Sequence, residues 1–390
     1  MARGDDAPPT RSWGNFLHIR STRTPATRRR ASLLALSALG AAAALVAVPL
    51  SAAAAEPPAG GAPYEGGEYS STAPSGPDGS FLGTNDGDWY WVRVDGADRY
   101  EVAANLYAPF DSGEVLYIAS GEKYADALSA GPAAFHQNGG LLLTAKDSLP
   151  EATRKEILRL NPPKLVVVGG TASVSDAVYQ QLAALKPDIT RIGGADRYEV
   201  SRNVIDYAFP EGVDDVFVAT GNNFPDALAA GPAAGHLSGA VLLVNGWGEG
   251  LDEPTRDLLA DKNTQVARIA GGVNSVNGKV ETDLAAAVPS VTRYTGADRF
   301  AVAANINTSI WTGKTENVFI ASGLVFPDAL SSGPVAASFD SPLFLSRPTC
   351  YPAPTADAIW HSTLNPETVV YVGGPNTLSQ LLISDPYYCE

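Results

Sequence analysis

From residue 89 onward, short apolar runs alternate with amphipathic stretches along the chain. Residues 89–94 read as a first strand, and a helix starts at Arg99. Strand 115–120, helix 125–137, strand 141–144, helix 150–160, strand 165–169, helix 174–185 and a short strand at 190–192 follow. The strands are apolar on both faces and separated by helices, which predicts parallel strands joined by crossovers and covered on both sides. The fold class expected is α/β, in layers.

This pattern repeats. Gly-Ala-Asp-Arg-Tyr at 96–100 returns at 194–198 and, as Gly-Ala-Asp-Arg-Phe, at 296–300. The block that begins Tyr-Ala-Asp-Ala-Leu at Tyr124 returns as Phe-Pro-Asp-Ala-Leu at Phe224 and Phe326, each time running on to Gly-Pro. Apolar runs ending in paired glycines stand at 166–170, 268–272 and 369–374. A period near one hundred residues is too long for a solenoid unit and suits a small domain. We therefore expect modules at 89–193, 194–295 and 296–390. Strand 190–192 runs straight into Gly193-Gly194, so no hinge separates neighbours and the modules should pack as one unit.

Candidate chemistry concentrates in the repeated blocks. Each reads Arg, two residues, Gly-Ala-Asp-Arg, giving Arg93 and Arg99, Arg191 and Arg197, Arg293 and Arg299. These six are candidate anion-binding groups, because the guanidinium fork matches carboxylate and phosphate. The competing role is a salt bridge within or between modules, with Asp126, Asp226 and Asp328 as partners. Asp98 and Asp196 stand three residues before Glu101 and Glu199, the layout of a capping box, while the third copy has Ala301 at that place. The Gly-Pro blocks lack the Gly-rich spacing and Lys-Ser or Lys-Thr of a nucleotide loop. The paired glycines can serve as purely conformational turns or present N–H groups to an anion. His136 and His236 match in position, but Ser338 replaces them in the third copy, and no nucleophile motif accompanies them. No catalytic residue, metal site or cofactor is expected.

Charge and address narrow the function. Arginines fill the first thirty residues, and apolar residues 31–50 end in small ones at 51–55. That layout predicts a secretory signal over 1–55, cleaved near Glu56, with a retained membrane anchor as the alternative. Residues 56–88 are rich in Gly, Pro, Ser and acids, and read as a disordered spacer. The formal net charge is −15; residues 1–55 carry seven arginines and two acids, so the remainder stands near −20. Such a chain repels nucleic acid. Cys350 and Cys389 are the two cysteines, and in an exported chain they should form a disulfide.

The triplicated blocks resemble the cell wall binding repeat 2 family over nearly all of residues 91–384. The resemblance implies Toprim-like or flavodoxin-like parallel-sheet modules around a pseudo-threefold axis. It also implies a surface protein held non-covalently on an anionic wall polymer or peptidoglycan-associated glycan, with no stable membrane insertion after signal cleavage. Strands 141–143, 242–244 and 342–345 resemble the family's Pro-Ile-Leu-Leu element, which is linked to polymer binding; only the third copy keeps the Pro, and a plain buried strand is the other role. We expect a non-enzymatic secreted wall binder. A surface receptor for small ligands or glycans, and a wall hydrolase without a local motif, are the rival functions.

Overall fold

The computed structural model describes residues 81–84, 90–384 and 388–389, so the expected signal segment and most of the spacer lie outside the described residues. The first two strands are β1 (Phe81–Thr84) and β2 (Tyr90–Val94). Next come α1 (Arg99–Asn105), β3 (Val115–Ser120), α2 (Ala130–His136), β4 (Gly140–Thr144), α3 (Glu151–Leu160), β5 (Lys164–Val168), α4 (Asp176–Leu185) and β6 (Ile189–Ile192). The second copy runs α5 (Arg197–Ala208), β7 (Asp215–Thr220), α6 (Pro225–His236), β8 (Ala240–Val244), α7 (Glu253–Asp261), β9 (Val266–Ala270), α8 (Gly278–Ala287) and β10 (Ser290–Tyr294). The third has α9 (Arg299–Ile310), β11 (Asn317–Ser322), α10 (Pro327–Ser338), β12 (Leu343–Ser346), α11 (Ala353–Trp360), β13 (Thr368–Val372) and α12 (Gln380–Ser384).

Three sheets result, in the orders β4-β3-β5-β6, β8-β7-β9-β10 and β12-β11-β13-β2-β1. Every pairing is parallel except β1 with β2. Two expectations need correction. Strand β2, assigned from sequence to the first module, lies beside β13 with Val92 opposite Val370, and completes the third sheet. Among the described residues that module has no fourth strand after α12, and β2 takes that place. Part of the expected spacer, Phe81–Thr84, is also a strand, paired with the free edge of β2. Its four residues are hidden in composition by the Gly, Pro and Ser around them.

Helices α6 and α10 start on Pro225 and Pro327, whose fixed φ suits the first helical turn. Ala125 replaces that Pro in the first copy; residues 125–129 form turns and α2 is only seven residues long, shorter than the expected 125–137.

The three Asp-Ala-Leu helices, α2, α6 and α10, pack on one another along the pseudo-threefold axis. Each also packs on the first helix and edge strand of the next module: α2 on α5 and β8, α6 on α9 and β12, α10 on α1 and β4. The interfaces therefore close cyclically. At one level of the axis the equivalent positions are Phe135, Gly235 and Ala337, and a Cβ on Gly235 would meet the Ala337 methyl and the Phe135 ring. One large and two small side chains fill a space that three large ones would overfill. Gly235→Leu is therefore expected to destabilise by about 2–3 kcal/mol through overpacking. Adding Phe135→Ala should recover part of the loss, a coupling that denaturant unfolding of the two single variants and the double variant would reveal.

The interfaces differ at their rims. His136 stacks on Phe209 with centroids 4.1 Å apart, and burial lowers its pKa. His236 pairs with Asp340 and packs on Trp311 at 4.9 Å. At the third interface Ser338 replaces the imidazole, leaving an apolar cleft walled by Phe110, Phe135 and Val335. The repeated histidines are thus interface groups. The chain end is fastened by the Cys350–Cys389 disulfide, with Cα atoms 5.1 Å apart, and by the Cys389 N–H donating to the Tyr351 carbonyl at 2.8 Å.

Candidate functional site

Each Arg-x-x-Gly-Ala-Asp-Arg block straddles a module boundary. Its first arginine lies on the fourth strand of one sheet, and its second opens the first helix of the next module. That division sorts the six candidate arginines into two sets.

Arg93 on β2, Arg191 on β6 and Arg293 on β10 donate through Nη1 to the carbonyls of Gly373, Gly169 and Gly271 at 2.6, 3.0 and 2.8 Å. Arg93 donates further to the Leu378 and Ser379 carbonyls at 2.9 and 3.3 Å, and is 1% exposed. Burial lowers its pKa, while the Asp95 carboxylate acts in the opposite direction. Arg191 adds the Val174 carbonyl at 2.8 Å and an ion pair to Asp176 at 3.5 Å; Arg293 pairs with Glu281 at 3.0 Å. These side chains hold the strand-to-helix turn next to them.

Arg99, Arg197 and Arg299 differ. Each donates from Nη1 to the carbonyl just past a central strand, that of Gly121, Gly221 or Gly323, at 2.5, 2.5 and 2.6 Å. Among the described residues none of the three forms an ion pair, so the expected bridges to Asp126, Asp226 and Asp328 are not made. Arg99 is exposed, and Arg197 and Arg299 are half-buried. Their positions are fixed by helix capping, as the spacing predicts. Asp98 and Asp196 accept from the two N–H groups at the helix start, and Glu101 and Glu199 reach back to the N–H of Ala97 and Ala195 at 2.7 and 2.6 Å. Asp298 caps alone.

Two of these guanidinium groups border an aromatic cluster. Tyr124, Phe224 and Phe326, the first residues of the Asp-Ala-Leu blocks, meet with ring centroids 5.4, 5.8 and 6.0 Å apart. Arg197 lies over Tyr124 at 5.9 Å and Arg299 over Phe224 at 5.8 Å, so each arginine reaches across to the preceding module. The sequence shows an aromatic residue at this place in all three copies, but periodicity alone does not reveal that the three meet.

Two residues after each ring stands one of the repeated acids. Asp126 accepts from Ser173 Oγ at 2.5 Å, Asp328 from Thr377 Oγ1 at 2.9 Å, and Asp226 from Ser275. Gly169, Gly271 and Gly373 have φ of 105°, 115° and 122°, and the aspartate occupies the space a side chain there would need. The paired glycines therefore serve as conformational turns. Burial raises the Asp226 pKa and pushes Asp328 up to about 6, opposed by Thr377 and more weakly by Arg99. A folded pKa above the ordinary carboxylate value means that stability is greatest below the ordinary value and falls as pH rises through about 6. Asp328→Asn should accordingly be the more stable protein at pH 7 by about 2 kcal/mol, and this advantage should fade as pH falls to 4. Thermal melts of both proteins across that range check it; a constant difference would contradict the assignment.

Strands β4, β8 and β12, the counterparts of the Pro-Ile-Leu-Leu element, are sheet edges, yet Leu141–Leu143, Leu242, Leu243 and Leu343–Leu345 are fully buried beneath the neighbouring module. Among the described residues no group of His, Cys, Asp and Glu could hold a metal ion, and no helix is long and apolar enough to cross a membrane.

Comparison with known proteins agrees with this architecture. The chain is 29% identical over 256 residues to the N-acetylmuramoyl-L-alanine amidase LytC of Bacillus subtilis, covering 65% of this chain and 50% of the amidase. It is 27% identical over 279 residues to the amidase enhancer of the same organism, covering 71% of this chain and 37% of that protein. The chain thus spans half or less of the length of these relatives. Among solved structures, Cwp6 from Clostridium difficile superposes with a TM-score of 0.68 at 28% identity, over 72% of this chain and 45% of that one. Cwp8 from the same organism shares the fold with a TM-score of 0.68 at 21% identity, over 83% and 62%. The family profile of Cell wall binding domain 2 (CWB2) matches residues 93–179, 191–281 and 293–382. With three tandem matches over most of its length and the module geometry described above, the chain belongs to the Cell wall binding domain 2 family.

Proposed function

We propose that this cell-wall-binding surface protein is a secreted, non-enzymatic anchor whose three modules hold an anionic wall polymer at the mouth of the pseudo-threefold axis. The observation that carries this reading is the state of Arg99, Arg197 and Arg299. Each is held in place by one glycine carbonyl at a module boundary and has no ion-pair partner among the described residues, and Arg197 and Arg299 lie over rings of the aromatic cluster. Guanidinium donors left in this state suit phosphate or carboxylate oxygens.

Recognition has to be local. The formal charge of the whole chain is −15, so the overall field repels a polyanion, and at physiological salt that field is screened beyond about 8 Å. Short-range hydrogen bonds from these arginines then decide affinity.

The test is co-sedimentation of the purified protein with purified Gram-positive walls, alongside an assay for soluble fragments released from peptidoglycan. Sedimentation without release is expected. Similarity to LytC, named as an amidase, makes release the outcome that would favour a hydrolase, and absence of sedimentation would favour a receptor for soluble ligands.

A further inference from the structure

The second module carries a feature its sister modules lack. In the loop after β8, Trp247 is 67% exposed, although its ring is well anchored. Its indole Nε1 donates to the Asn274 carbonyl at 2.8 Å, and its backbone N–H to Asn245 Oδ1 at 3.3 Å. Asn222 Nδ2 donates to the same Oδ1 at 3.1 Å, and Asn277 Nδ2 to the Gly248 carbonyl at 2.7 Å. Four asparagines from three strand-end turns thus brace the loop that carries this ring, two of them bonded to Trp247 itself. Val273, 61% exposed, stands beside Asn274 in the chain. The loops after β4 and β12 have Asp147 and Thr349 where this one has Trp247.

A large ring kept in water forgoes the stabilisation that burial would bring, and a ring so fastened has little freedom to lose on binding. The Asn274 amide and Asn245 Nδ2 make no hydrogen bond among the described residues, so both can serve a ligand. The ligand should be uncharged: residues 222–224, 245–250 and 273–275 contain no Lys or Arg, and the one charged side chain among them is Glu249. An apolar face bordered by neutral amides complements a pyranose, which presents C–H groups on its face and hydroxyl or acetamido groups at its edge. Asn222 also accepts from the Tyr124 and Tyr198 hydroxyls, at 3.1 and 3.0 Å, so the platform adjoins the aromatic cluster at the axis.

We infer that Trp247 is a stacking platform for a neutral pyranose of the wall glycan, with Asn245 and Asn274 as its amide partners. The sugar chemistry follows from these loops; its source in the wall rests on the function proposed above.

The full chain and Trp247→Ala are titrated by calorimetry with the N-acetylglucosamine tetrasaccharide, and both proteins are also sedimented with purified walls. Wild type should bind the tetrasaccharide saturably, and Trp247→Ala should bind it at least about tenfold more weakly at an unchanged melting temperature. Asn274→Ala, which keeps the carbonyl that anchors the indole, should weaken binding severalfold. No saturable binding by wild type, or equal binding by Trp247→Ala, overturns the inference even if walls are bound. Saccharide binding that depends on Trp247 in a protein that does not sediment with walls supports the pyranose site and defeats the wall reading instead.

Discussion

Deleting residues 1–95 is expected to destabilise the third module, some 280 residues away, while the first two keep their stability. The deletion removes β2, in which Trp91, Val92, Arg93 and Val94 are all buried, and turns the buried strand β13 into an open edge. It also removes the guanidinium that satisfies the Gly373, Leu378 and Ser379 carbonyls. Leaving such groups unpaired costs about 1–3 kcal/mol each, so a local loss of at least about 3 kcal/mol is expected. Hydrogen exchange should accelerate by about 100-fold or more in β11 and β13 and far less in β3, β5, β7 and β9. Val92→Asp in the full chain should reproduce the pattern, because it places an unpaired carboxylate inside the third sheet. Unchanged protection in β13 would show that ring closure by β2 contributes little.

The second large effect concerns binding. Replacing Arg99, Arg197 or Arg299 by Gln should each weaken wall binding by about 1.5–3 kcal/mol, the worth of a hydrogen bond to a charged group. Melting should change little, since each loses one bond to a glycine carbonyl at a partly exposed site. Arg191→Gln and Arg293→Gln, whose donors are taken up by strand-end turns and carboxylates, should do the reverse: lower stability without a selective binding defect. Equal wall binding by all three variants of the first set, and by their folded triple combination, would place the polymer site elsewhere.

Much of the fold is legible in the sequence because its determinants are local. Apolar strand runs, Asp98-Glu101 capping and near-hundred-residue periodicity each act over short stretches or recur in register. What escapes is the choice of partner. The pattern at 90–94 identifies a strand but not its sheet, and the decisive contact, Arg93 to Gly373, spans almost the whole repeat region. The same limit hides the division among the arginines. In sequence Arg93 and Arg99 form one motif; in the fold they serve different modules, one buried against carbonyls and one facing solvent. Helix 125–137 is overestimated because a single change, Ala125 for Pro, removes the residue that starts the sister helices. Trp247 lies outside every repeated block, so a search for repetition passes over it.

The most direct test of the central claim compares purified walls before and after chemical extraction of their anionic polymer. Retention of the protein on intact walls, with affinity at least about tenfold lower on extracted walls, is the predicted result. Equal affinity for both would contradict the claim that anionic polymer is what this protein holds.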